Sequence, residues 1–257
     1  MEKLFRSGDS ELAGHLARPR IAPGTSVPGL LICHGFPNLN QGGALSARSF
    51  PELAERIATE MGWTVLVFNF RGAGDSGGNF SLHAWRDDLL AAAAYLRTVE
   101  GVHGVWAAGY GTGGSLSIAA AALDPEIRGV AAMGSPADFD DWANHPRLLL
   151  QHARATGIIR SSSFPSNFDE WAKEIRDVRA ATAIRSVAPR PALIMHGSED
   201  DTVPVYDARV LADAHGSADL RIIEGGAHQL RHDPRAVAVL LGWLDRQRAA
   251  AAAERAS

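Results

Sequence analysis

The stretch Val105-Trp106-Ala107-Ala108-Gly109-Tyr110-Gly111-Thr112-Gly113-Gly114-Ser115-Leu116-Ser117-Ile118 decides how this chain reads. Its first four residues are a short apolar run of the kind buried strands use. From Ser115 to Leu123 the residues favour a helix. Between them lies a glycine-rich turn, so the order is strand, sharp turn, helix. In the pattern G-x-S-x-G that order lifts a central serine hydroxyl above the end of a sheet. Here Gly111 occupies the central position, so the frame is present and the side chain is not.

Working outward, short apolar runs recur. Gly29-Leu30-Leu31-Ile32-Cys33 precedes His34-Gly35-Phe36, and Thr64 to Phe70 precedes the glycine-rich Arg71 to Gly78. Gly129 to Met133, Pro191 to Met195 and Leu220 to Ile223 complete the set. Helical spacing appears over Pro51 to Met61, Trp85 to Leu96, Val205 to His215 and Pro234 to Arg248. Continuous apolar strands alternating with helices imply right-handed βαβ units and a mostly parallel sheet covered on both faces. The first twenty or so residues alternate weakly and read as an opening hairpin.

One connection is too long for this rhythm. Two helical patterns, Phe139 to Ile158 and Phe168 to Ile184, lie between Met133 and Pro191. They read as a helical cap insertion over 135–187, with the core formed by 1–134 and 188–257. The tail from Ala249 onward extends the last helix or frays.

Four motifs in order resemble the α/β-hydrolase superfamily over nearly the whole chain, from about Gly29 to about Leu244. They are His34-Gly35-Phe36, the turn at Gly111, His196 to Pro204, and Gly225-Gly226-Ala227-His228. Capped bacterial esterases and acyl-peptidase-like or dienelactone-hydrolase-like members are the nearest likeness. The resemblance implies His228 as catalytic base and Asp200 as the acid that orients it. It implies Phe36 and Thr112 as the positions whose backbone N–H groups form an oxyanion hole, and Gly111 as the nucleophile position. The glycine departs from the family pattern, because a covalent acyl-enzyme needs an attacking side chain. Glu199, Asp201 and Asp138 remain alternative acids, and Ser115, Thr112, Tyr110 and Cys33 are poor substitutes for the serine.

These motifs leave three readings open. One is an esterase-like enzyme acting on a small apolar ester or other carbonyl compound through a dyad without a serine. The second is an inactive ligand-binding or scaffold protein beneath an apolar cap carrying Trp142, Leu148, Leu149, Leu150, Phe164, Phe168 and Trp171. The third is a serine hydrolase whose nucleophile has been replaced.

Composition narrows the field further. The 257 residues carry 25 Lys and Arg against 29 Asp and Glu, a net charge of −4, so no nucleic-acid or polybasic membrane surface is expected. Hydrophobic residues make up 46%, enough for a sizeable core. One cysteine excludes an intramolecular disulfide and suits a cytoplasmic protein, as does the lack of a signal-like start. The ten histidines show no H-E-x-x-H spacing, so neither metal nor cofactor is expected. The expected partner is a small molecule, and oligomeric state is not readable.

Overall fold

The computed structural model describes residues 1–22, 24–40 and 42–256. These form one sheet of eight strands: β1 (Glu2–Ser7), β2 (Ser10–Ala17), β3 (Val27–Cys33), β4 (Thr64–Phe68), β5 (Val102–Tyr110), β6 (Ile127–Met133), β7 (Ala192–Gly197) and β8 (Asp219–Ile223). The spatial order is β1-β2-β4-β3-β5-β6-β7-β8. The expected opening hairpin is β1 and β2, and β2 runs antiparallel to β4. From β4 through β8 every neighbouring pair is parallel.

Every residue of β3 and β4 is buried. Such strands are apolar throughout, with no alternation, because both faces are covered. One face carries α1 (Phe50–Met61) and α9 (Pro234–Ala256), whose Phe50, Ile57, Leu240 and Trp243 pack on Leu30, Val65 and Met195. The other carries α2 (Leu82–Thr98), α3 (Thr112–Leu123) and α8 (Val205–His215), around Leu31, Phe68, Leu89, Ile118 and Leu211. Cap chemistry agrees with these bounds. Ser81 Oγ accepts from the Ala84 amide at the start of α2, and α1 stops at Gly62 in the left-handed region.

Between β6 and β7 lie α4 (Asp140–Asn144), α5 (Pro146–Ala155), α6 (Phe168–Asp177), α7 (Ala180–Ala183) and a 3-10 turn, Ile184–Ser186. The first expected helix is therefore two. Pro146 has no N–H to continue a helix and disfavours a helical residue before it, and His145 sits at φ −127°. The second breaks at Val178 and Arg179, both extended, where Val178 turns into the core. The last helix runs past Arg248 to Ala256 because the tail is rich in alanine, the best helix former.

The Arg71 to Gly78 region is structural. Asp88, whose side chain is fully enclosed, accepts from the Arg71 amide at 2.8 Å and from its guanidinium at 2.7 and 3.0 Å. Trp85 Nε1 donates to the Arg71 carbonyl. None of the helices is long and apolar enough to cross a membrane among the described residues.

Candidate active site

Parallel registry aligns the strand ends. Cys33 stands beside Gly109, Tyr110 beside Met133, and Met133 beside Met195. The loops that follow therefore converge at one edge, where the carboxyl ends of parallel strands commonly hold ligands.

Gly111 lies at that edge as the N-cap of α3, at φ 53° and ψ −127°. Its amide donates to the Met133 carbonyl at 2.9 Å, and its carbonyl accepts from the Gly114 amide at 3.0 Å. The glycines around it serve a different end. A Cβ on Gly109 would collide with the backbone of Gly113, and one on Gly113 with the backbone of His34. Strand and helix approach too closely there for any side chain. At Gly111 there is room: an added Cβ meets nothing nearer than 3.7 Å, and that nearest atom is His228 Nε2.

His228 follows β8, and its Nδ1 lies 2.9 and 3.1 Å from the two carboxylate oxygens of Asp200. Asp200 is thus the carboxylate that meets the imidazole. Glu199 and Asp201 are exposed, and Asp138 stands 3.9 Å from Arg179. The Asp200 side chain is fully enclosed and His228 is 30% exposed. Burial alone would raise the Asp200 pKa. Hydrogen bonds from His196, His228 and the Val203 and Thr202 amides outweigh it and hold the carboxyl well below the usual range. Asp200 is a fixed negative charge that keeps the His228 proton on Nδ1 and leaves Nε2 facing Gly111.

Nothing in the sequence marks His196 for the part it takes here. It is enclosed at the end of β7, four residues before Asp200. Its Nε2 is 3.1 Å from Asp200 Oδ2 and 2.9 Å from the Val203 carbonyl. Both neighbours accept, so the proton belongs on Nε2, and Nδ1 is left buried without a partner.

Phe36 follows β3, and Thr112 opens α3. No described residue accepts a hydrogen bond from either amide. Both residues line the same cavity as Gly111 and His228. Unpaired N–H groups at a helix start favour negative charge beside them.

Ser115 and Cys33, both near Gly111, are committed elsewhere. Ser115 Oγ donates to the Pro136 carbonyl at 2.6 Å, beneath the turn. Cys33 is fully buried, and burial pushes its thiol up to about 12. Burial likewise raises Tyr110, whose ring packs on Phe50.

The cavity over Gly111 measures about 990 Å³. Phe36, Trp142 and His152 form an aromatic group on its roof, with Trp142 and His152 centred 4.8 and 5.3 Å from Phe36. Leu148 and Leu149 join this wall. Phe164, Phe168 and Trp171 pack away from the cavity lining, against the core. Arg231, in the 3-10 turn Leu230–His232, also lines the cavity and had no sequence signal beyond its closeness to His228.

A family model described as alpha/beta hydrolase fold matches residues 28–180. The chain belongs to the α/β-hydrolase fold family. It is 25% identical over 237 residues to the uncharacterized protein YqkD of Bacillus subtilis (strain 168), covering 86% of this chain and 70% of that one. Among solved structures it is similar to Est1E of Butyrivibrio proteoclasticus, in a structure with bound ferulic acid. There the TM-score is 0.75 at 20% identity, covering 96% of this chain and 99% of that one. The α/β hydrolase GrgF of Penicillium sp. sh18 also gives 0.75 at 20% identity, over 97% and 99% of the two chains.

Proposed function

We propose that this chain is an esterase-like hydrolase in which a water molecule, activated by His228, takes the part of a serine. The observation that carries this reading is the unobstructed space between Gly111 and His228 Nε2, 3.7 Å from the position of an added Cβ. In this mechanism His228 Nε2 accepts a proton from water as the water oxygen bonds to the carbonyl carbon of an ester. The carbonyl oxygen becomes an oxyanion and takes hydrogen bonds from the Phe36 and Thr112 amides. Collapse breaks the bond to the leaving oxygen, and the imidazolium returns its proton there. The products are one acid and one alcohol, with no acyl-enzyme.

Asp200 stabilises the imidazolium throughout. An oxyanion hole and binding site without a full triad still support roughly 10³ to 10⁴-fold acceleration over water, so slow turnover is the expectation. The aromatic roof at Phe36 and Trp142 favours a small apolar acyl or aryl group. That Est1E binds ferulic acid, in a similar fold, fits an aromatic carbonyl ligand.

The test is hydrolysis of short aryl esters by the chain and by His228→Ala. Loss of a general base lowers the rate by ~10²-fold or more. Equal rates for the two proteins would sink the mechanism. An apolar ligand that raises the melting temperature without being hydrolysed would replace hydrolysis with binding.

A further inference from the structure

The cavity is electrically lopsided. Asp138, Asp140, Asp141, Asp201 and Asp207 line it after β6 and β7. Their neighbours Ala137, Phe139 and Ala208 belong to the core on the α2, α3 and α8 face. Arg231 is the sole arginine or lysine lining the cavity among the described residues. Its neighbours Leu230, Phe50 and Tyr110 belong to the core on the α1 and α9 face.

Arg231 is half-buried, and no described carboxylate lies within ion-pair distance of it. Its Nε donates to His232 Nε2 at 3.0 Å, and neither Nη donates to a described residue. The guanidinium lies 5.5 Å from the Phe50 ring centre, and the Tyr110 ring is centred 5.2 Å from the same ring. Arg231 and Tyr110 thus share Phe50 as a neighbour and line the same cavity, and Tyr110 is bonded directly to Gly111. Ser46 lines the same cavity with its Oγ buried and unpartnered.

We infer that Arg231, with the Tyr110 and Ser46 hydroxyls, is a carboxylate subsite, so the substrate carries a second, anionic carboxylate a few bonds from its scissile carbonyl. A guanidinium fork presents parallel donors that fit a carboxylate, and a partly desolvated one gains most from such a partner. The aspartates across the cavity repel the same group and fix which end of the substrate lies at Arg231. The inference deepens the hydrolase reading by naming a substrate class, and it uses that reading only to locate the scissile carbonyl.

The experiment measures binding, which needs no turnover. N-Phenylsuccinamate and N-phenylbutanamide differ in a terminal carboxylate against a methyl group, and both resist hydrolysis. Calorimetric titration of the full chain is expected to give the succinamate tighter binding by about tenfold to a hundredfold. In Arg231→Met that ratio falls to near one, and in Arg231→Lys it falls part of the way. Tyr110→Phe keeps the ring against Phe50 and lowers the ratio severalfold, which serves if Arg231→Met does not fold.

Equal affinity of the two probes for the unmodified chain would overturn the inference, as would a preference that survives Arg231→Met. The same pair as aryl esters separates this from the catalytic reading. An Arg231-dependent preference in binding without ester hydrolysis removes the mechanism and keeps the subsite. Hydrolysis with no preference does the reverse.

Discussion

Replacing Gly111 with serine puts the frame of the site to a direct test. The structure sets both the cost and the gain. The backbone at Gly111, φ 53° and ψ −127°, is a conformation that side-chain-bearing residues rarely adopt. Holding a residue there costs on the order of 1–3 kcal/mol. No steric term adds to this, since the nearest atom to the new Cβ is 3.7 Å away. For a domain of this size the melting temperature should fall by roughly 2 to 12 °C.

The gain follows from the same 3.7 Å. The nearest atom is His228 Nε2, and the serine Oγ stands one bond beyond Cβ. A staggered rotamer turned toward the imidazole brings it within the ~2.6–3.2 Å that a nucleophile and its base require. With Asp200 behind His228 and the Phe36 and Thr112 amides ahead, kcat on aryl esters should rise by between ~10³ and ~10⁶-fold.

Gly111→Ala separates the two effects, because it carries the backbone cost without the hydroxyl. The assays are a melting curve, a pre-steady-state burst of released phenol, and mass spectrometry after a fluorophosphonate. Gly111→Ser should show a burst and one adduct on residue 111, both lost in Gly111→Ser with His228→Ala. A folded Gly111→Ser with neither burst nor adduct would refute the placement of His228 and the oxyanion donors around this turn.

Two further outcomes concern stability. Asp88→Ala leaves the Arg71 guanidinium, 16% exposed, without its main partner, and should destabilise by about 3–5 kcal/mol in urea unfolding; a loss under 1 kcal/mol would mean that the pair is not what holds this loop. His34 is enclosed, and burial, reinforced by the charge of Arg231 and opposed by the bond to the Gly35 carbonyl, lowers its pKa from 6.5 to about 4. The unfolded chain then takes up this proton first as pH falls, so stability is full above pH 6.5 and is lost between 6.5 and 4, by about 3 kcal/mol. His34→Gln should flatten that part of the pH profile, and an unchanged slope would rule His34 out as its source.

The parts of the site that were readable are those governed by local rules. Buried parallel strands must be apolar throughout, so β3 through β7 stood out as runs. A tight crossing of β5 on α3 admits only glycine, so Gly109 and Gly113 marked the turn. The family resemblance points to His228 and Asp200, and the structure brings their side chains into hydrogen-bond contact. What escaped depends on distances the order of residues does not contain. His196 supports Asp200 only because the loop after β7 folds back over the strand end. Arg231 lines the cavity over Phe50 of α1, a residue far from it in the chain. At His145 and Pro146 the helical spacing continues across a proline that ends one helix and begins another, so periodicity alone does not show the break.

Gly111 differs in kind from the glycines beside it, and the difference bears on what the site has kept. Gly109 and Gly113 are demanded by contact, whereas Gly111 has open space where a side chain would go. Glycine also enters many conformations, so nothing in the residue itself requires φ 53° there. The surroundings impose it: the Met133 carbonyl holds the Gly111 amide, and the Gly114 amide holds its carbonyl. Backbone bonds of the fold thus hold the turn in a geometry that faces His228 Nε2. Glycine adopts this backbone without the strain a side chain would bring, and His228 and Asp200 stay paired beside it. Serine at this position should cost stability and raise reactivity together, the coupling expected where a strained residue sits at a reacting centre.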